Sequence, residues 1–96
     1  MELINEAAIN SIEMLEKKVN ECIENKTLIH IHMHTEHVEM NGLVTPDLFE
    51  VYPDSICLTY GRNELSINDV LDNIEYDSEE NTIILHDGNM EIDIEL

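Results

Sequence analysis

The chain has 96 residues, and its 22 acidic side chains against 4 basic ones give a formal net charge of -18. Ile, Leu, Val and Phe make up 29 of the 96 residues, which is above the roughly 20% below which a highly charged chain is expected to be disordered. There is neither a basic N-terminal region followed by an apolar run nor an apolar run near the roughly 18 residues of a membrane span, so we expect one cytoplasmic domain over residues 1–96.

Residues 1–26 are predicted to form one long helix, because apolar side chains recur there at steps of three and four. The opposite face carries acids together with Lys17, and Asn25 and Lys26 are expected to end the helix. Such a stripe can pack against a sheet of the same chain, or against the same stripe of a second copy to form a homodimer. We expect it to pack against the sheet, as part of the core. The stripe consists of Ile4, Ala8, Ile12, Leu15, Val19 and Cys22.

Residues 27–96 are predicted to form an antiparallel sheet region, because the apolar period changes there to two. The first strand, 27–35, alternates apolar residues with His30, His32 and His34, and Val38 and Met40 continue the alternation until Gly42 interrupts it. A hairpin joins residues 48–52 to 56–60 across a Pro-Asp-Ser turn. Gly61-Arg62-Asn63 is expected to close that unit.

The last third is predicted to contain a short helical turn and a three-stranded meander. Ser66, followed by acid in the first turn, resembles a helix N-cap for residues 67–72. Strands are expected at 74–77, 82–86 and 90–95, the last two joined by an Asp-Gly hairpin turn. The fold class is therefore α+β: one N-terminal helix on a bent antiparallel sheet of five to seven strands. Whether that sheet closes into a small barrel is left open.

A row of carboxylates on the last strand is the first candidate functional feature. Alternate strand residues lie about 6.6 to 6.8 Å apart, so Glu91, Asp93 and Glu95 repeat at close to two nucleotide rises of one DNA strand. Charge on a strand face also prevents edge-to-edge pairing, which is the alternative interpretation. The candidate set adds Glu75 and Asp77, on what we expect to be the neighbouring strand, and the outer contacts Asp69, Asp72, Glu79 and Glu80.

In size and charge the chain resembles the small acidic inhibitors that phages and plasmids carry against defence nucleases, among them anti-CRISPR proteins and other DNA mimics. The resemblance has no motif and carries over no residue. It implies a non-enzymatic inhibitor that does not bind nucleic acid itself. Its expected partner is a basic protein, namely a nucleic-acid-binding protein or a nuclease. Such an inhibitor is expected to be a monomer or a homodimer.

The histidines form the second candidate feature. His30, His32, His34 and His37 lie within eight residues of one another, and alternate histidines of a strand share one face and can bind one Zn²⁺. Residues 32–37 read H-x-H-x-E-H, which is similar to the H-x-H-x-D-H motif of the metallo-β-lactamase fold, although that fold needs a much longer chain. No cofactor is expected otherwise. A polar strand face and a pH-responsive patch are the alternatives.

Sequence motifs of common enzymes do not occur in this chain. The serines lack the G-x-S-x-G elbow, and with three glycines there is no phosphate-binding loop. Cys22 and Cys57 have no metal-type or redox-type spacing and are expected to be free thiols in a reducing compartment. We therefore expect that the protein is not an enzyme.

Overall fold

The structure, a computed structural model, describes residues 5–96 and contains one helix and eight strands. Ile4, predicted as the first residue of the helical stripe, lies outside these residues. A 3-10 turn, Val70–Asp72, lies between the fifth and the sixth strand. The elements are α1 Glu6–Asn25, β1 Ile29–His34, β2 Glu39–Val44, β3 Leu48–Tyr52, β4 Ser55–Tyr60, β5 Asn63–Asn68, β6 Ile74–Asp77, β7 Thr82–Asp87 and β8 Met90–Glu95.

The strands form two antiparallel sheets. The larger has the order β2-β1-β8-β7-β6, so the first strands of the chain pair with the last, and the smaller has the order β3-β4-β5. The predicted α+β class, with one helix packed on antiparallel sheet, is confirmed. The strands are divided between two open sheets, so no barrel is closed. In the larger sheet β2 and β6 are the edges.

The helix begins and ends at recognisable caps. The Asn5 side-chain oxygen accepts a hydrogen bond from the Ala8 amide at its N-terminus. Lys26 adopts a left-handed conformation with φ 56° and its amide donates to the Cys22 carbonyl, which satisfies a helix-end acceptor. The predicted end of the helix at Asn25 and Lys26 is therefore confirmed.

The core lies between α1 and the inner faces of both sheets. Leu15 and Val19 of the helical stripe have no exposed surface, and α1 packs against β3, β6 and the 3-10 turn. The stripe therefore packs against the sheets of its own chain, the expected use. The larger sheet contributes the inner residues Ile29, Ile31, Ile74, Ile83, Leu85, Ile92 and Ile94, and the smaller sheet contributes Phe49, Ile56, Leu58 and Ile67.

Two local predictions differ from the structure. Ser66 is not a helix N-cap: it lies in β5 opposite Cys57, because Leu65 and Ile67 alternate inward and pairing with β4 overrides the capping pattern. The helical turn is accordingly only the three residues Val70–Asp72. Gly42 does not interrupt the strand as expected, since β2 runs from Glu39 to Val44 and pairs with β1 along its whole length. No helix within residues 5–96 is both long and apolar enough to cross a membrane.

Candidate functional site

The face of the five-stranded sheet that points away from α1 carries eight of the thirteen candidate side chains that the sequence singled out. Residues paired across antiparallel strands point to the same side. His32 pairs with Asp93 and His34 with Glu91, so these four residues share a face. We call this surface the outer face; its ionisable residues are Glu39, Glu75, Asp77, Glu91, Asp93, Glu95, His30, His32, His34 and His86.

The predicted carboxylate row on β8 and the predicted histidine cluster on β1 thus lie side by side on one surface, because these two strands are paired. The β1–β8 pairing brings together residues about 60 positions apart in the sequence. The expected adjacency of Glu75 and Asp77 to the row is wrong, because β7 lies between β6 and β8. With two strand spacings between them, these two carboxylates run about 10 Å from the β8 row.

Histidines of this face pair with five of its six carboxylates. His34 Nε2 lies 2.6 Å from Glu91 Oε2, His30 Nδ1 lies 3.3 Å from Glu95 Oε2, and His86 Nε2 lies 3.3 Å from Glu75 Oε1. Every side-chain ion pair among residues 5–96 joins a histidine to a carboxylate. A neutral imidazole that donates one N–H leaves the carboxylate charged, so the outer face remains negative when its histidines are neutral.

Three side chains converge at the centre of the face. One ligand atom from each of His32, His34 and Asp93 lies within 4.8 Å of the other two. Asp93 Oδ2 lies 3.8 Å from His32 Nδ1 and 3.6 Å from His34 Nε2. The two imidazole rings stack with centroids 4.9 Å apart. We call these three residues the central triad.

Asp93 is the most buried ionisable group of the triad, with a quarter of its side-chain surface exposed. Burial raises the pKa of its carboxyl above the ordinary value of 3.8, and the neighbouring Glu91 carboxylate raises it further, while His34 and His32 act in the opposite direction. Its Oδ1 atom is shielded from solvent and has no hydrogen-bond partner among the described residues. Ionised Asp93 therefore opposes folding, since a buried charge without full hydrogen bonding is unfavourable.

A fourth residue orients the triad. His32 Nε2 lies 2.7 Å from Glu39 Oε1 on the edge strand β2. When Nε2 carries the proton and donates it to this carboxylate, Nδ1 is left with a free lone pair directed toward Asp93. Sequence reasoning did not select Glu39, because the β1–β2 register is the only signal that places it beside His32.

The remaining predicted residues lie at the rim or elsewhere. Asp69 and Asp72 belong to the 3-10 turn that packs against α1, so they are not part of the outer face. His37 is exposed in the β1–β2 loop, outside the triad. Glu79 and Glu80 occupy the β6–β7 turn, where both amides donate to Asp77 Oδ1. Glu80 reaches an open groove of about 210 Å³ that His30, His32, Asp77, Thr82, Ile84, Asp93 and Glu95 also line.

Comparison with protein-family models, with curated proteins and with solved structures finds no match to this chain.

Proposed function

We propose that the protein is a non-enzymatic inhibitor or regulator whose outer face binds the basic groove of a nucleic-acid-binding protein in place of nucleic acid. The observation that carries the proposal is the one-sided charge of the five-stranded sheet. Six carboxylates lie on its outer face, and none of its five strands contains a Lys or Arg. A surface of one sign attracts a surface of the other over long range.

The positions of the few basic residues strengthen this asymmetry. Lys17 and Lys18 lie in α1, Lys26 caps its end and Arg62 lies in the turn between β4 and β5. Cations are therefore confined to the helix and the smaller sheet. The molecule presents one sheet face without fixed positive charge, which is the face that a basic groove would contact.

The spacing of the carboxylates supports a polyanion-like surface. Glu91, Asp93 and Glu95 repeat at about 6.6 to 6.8 Å along β8, and Glu75 and Asp77 form a second, parallel line about 10 Å away. Basic nucleic-acid grooves bind through charge neutralisation and counterion release, which do not require bases. Binding of this kind weakens steeply as salt concentration rises.

Two variants with the same net charge test the assignment of the face. One neutralises the row with Glu91→Gln, Asp93→Asn and Glu95→Gln, and its control neutralises the exposed helix residues Glu13, Glu21 and Glu24 with Gln. Each variant and the wild type are immobilised and exposed to a bacterial cell extract and to purified basic nucleic-acid-binding proteins. Bound protein is then eluted with duplex DNA.

We expect one partner to be retained by the wild type and by the helix variant, lost from the row variant, and eluted by DNA. An equal loss from both variants would mean that only net charge matters, and the proposed face would be wrong. Retention by the row variant, or elution by salt but not by DNA, would contradict a nucleic-acid mimic. Circular dichroism of both variants establishes that they are folded.

A further inference from the structure

We propose that the central triad, His32, His34 and Asp93, is a binding site for a divalent first-row transition metal ion, with Zn²⁺ as the probe. The inference is independent of the proposed partner, since it concerns the ion alone. It also selects among the histidines: His30 and His37, which the sequence grouped with His32 and His34, lie outside the set of converging ligand atoms.

The distances between the ligand atoms suit one small ion. Zn²⁺ binds imidazole nitrogen at about 2.0 to 2.1 Å and carboxylate oxygen at about 2.0 to 2.2 Å, so tetrahedral ligands lie about 3.3 Å apart. Asp93 Oδ2 is 3.6 Å from His34 Nε2 and 3.8 Å from His32 Nδ1. Shifts of a few tenths of an ångström bring Asp93 to the required spacing from both imidazoles. All three ligand atoms lie within 4.8 Å of one another, so side-chain rotation also brings the two histidines together around one ion.

The orientation of His32 supports a metal in particular. Metal-binding histidines usually donate the N–H of the second ring nitrogen to a carboxylate or carbonyl, which fixes the tautomer and raises ligand basicity. Glu39 Oε1, 2.7 Å from Nε2, supplies this acceptor and leaves Nδ1 toward Asp93. An ordinary polar strand face requires no such arrangement on both sides of one ring.

The charge balance at Asp93 also favours a cation. Its carboxylate is mostly buried beside Glu91, and Oδ1 has no hydrogen-bond partner among residues 5–96. A divalent ion placed against Oδ2 offsets the repulsion between the two carboxylates. His34 Nε2 lies 2.6 Å from the Glu91 carboxylate. An ion that binds Nε2 requires the tautomer in which Nδ1 carries the ring proton, and the Glu91 carboxylate then lies beside the ion.

The ligand types narrow the choice of ion. Two imidazoles with one carboxylate suit Zn²⁺, Co²⁺, Ni²⁺, Cu²⁺ or Fe²⁺, whereas Mg²⁺ and Ca²⁺ prefer sites made of oxygen atoms alone. Both histidines come from one strand and the aspartate from its hydrogen-bonded neighbour. The donors are therefore held by paired backbone, which favours a preformed site.

Zn²⁺ binding is measured by competition with a chromophoric chelator on the full chain, freed of metal beforehand. His34→Ala and Asp93→Asn each remove one ligand, and we expect each to weaken binding by at least about 10-fold. His30→Ala and His86→Ala are the matched controls, because each removes a histidine from the same face that is paired with a glutamate outside the triad. These controls are expected to keep wild-type affinity and a stoichiometry of one ion per chain.

Co²⁺ supplies a second readout, because a four-coordinate site with imidazole ligands absorbs more strongly in the visible region than hydrated Co²⁺. The band is expected in the wild type and His30→Ala and not in His34→Ala. The proposal is overturned if the wild type takes up no Zn²⁺ at micromolar concentration. It is equally overturned if all four variants lose affinity to the same extent, because the ion would then be spread over the whole histidine face.

Discussion

Glu39 lies directly opposite His34 in the β1–β2 register, yet its carboxylate reaches diagonally to His32, with Oε1 2.7 Å from Nε2. Diagonal neighbours across antiparallel strands are within reach of long side chains. His34 is left to Glu91 on the other side of β1, where the two groups lie 2.6 Å apart. Each of the two histidines thus has a carboxylate of its own, and both rings face Asp93 between them.

Replacing Glu39 by Gln is expected to weaken Zn²⁺ binding by about 10-fold, because outer carboxylates of this kind contribute about 10- to 100-fold and Gln retains a neutral acceptor. Stability without metal should change by no more than about 0.5 kcal/mol, since the side chain is mostly exposed. Glu75→Gln, which alters the corresponding contact to His86, is the control and should leave Zn²⁺ affinity unchanged. Equal effects of both substitutions would remove Glu39 from the site.

Asp93→Asn is expected to stabilise the metal-free protein. The pKa of Asp93 is raised in the folded protein, so ionisation of this carboxyl opposes folding. Its contribution to the free energy of unfolding is therefore most favourable below the pKa of the unfolded chain and is lost as the pH rises through the pKa of the folded protein. At neutral pH the substitution should raise the thermal midpoint by about 2–4 °C, equivalent to about 0.5 kcal/mol, in the presence of a chelator. With saturating Zn²⁺ the order should reverse. Thermal unfolding under both conditions checks the change of sign; Glu95→Gln, at an exposed position, is the control.

Much of the fold follows from the period of the apolar pattern. The apolar period predicts the end of α1 and both ends of β1, β3, β4, β6, β7 and β8 within about two positions, because each is a clear run of period 3.6 or 2. β5 was not predicted, because the Ser66 capping pattern competes with an alternation of only two inward residues. β5 forms a strand because it pairs with β4, and strand pairing cannot be read from the sequence of the segment itself.

The site was predictable in its parts and not in its assembly. The row on β8 and the histidines of β1 each stand out from alternation along a single strand. Their adjacency depends on β1 lying between β2 and β8, a long-range order that no spacing in the sequence specifies. For the same reason Asp93 was assigned to the acidic row alone, and its convergence with His32 and His34 required the register.

Leu15→Ala tests whether the helical stripe is core and not a dimer interface. Leu15 is fully buried within the chain, and a substitution of this kind lowers the free energy of unfolding by about 2.7–5 kcal/mol. We expect a loss of that size that does not depend on protein concentration. Ile9→Ala, at a position 37% exposed, is the control with a smaller loss. A midpoint that rises with concentration in denaturant titrations would indicate that association contributes to folding.

Two glycines are expected to respond to alanine with opposite signs. Gly88 has φ +62° in the β7–β8 turn, so Gly88→Ala should destabilise by about 1–2 kcal/mol. Gly42 has an ordinary φ and open space around its Cα, so Gly42→Ala should stabilise by about 0.4–1 kcal/mol through the unfolded chain. Urea titrations of both variants measure the difference. A loss at Gly42 would mean that β2 requires a glycine there for a reason other than conformation.

Zn²⁺ and a basic ligand are expected to oppose each other, because both proposals place their ligands on the outer face. An ion at the central triad adds two positive charges to a row whose middle member is Asp93, which weakens the attraction for a cationic surface. We expect saturating Zn²⁺ to reduce the affinity for a fluorescent oligolysine by about 5- to 10-fold, and oligolysine to reduce Zn²⁺ affinity by the same factor.

Fluorescence anisotropy at fixed ionic strength measures the oligolysine affinity, and chelator competition measures the Zn²⁺ affinity. His34→Ala, which keeps all carboxylates and loses a metal ligand, should bind oligolysine equally with and without Zn²⁺. An unchanged wild-type affinity would show that the cationic ligand binds elsewhere, since two ligands on separate surfaces have no reason to be coupled.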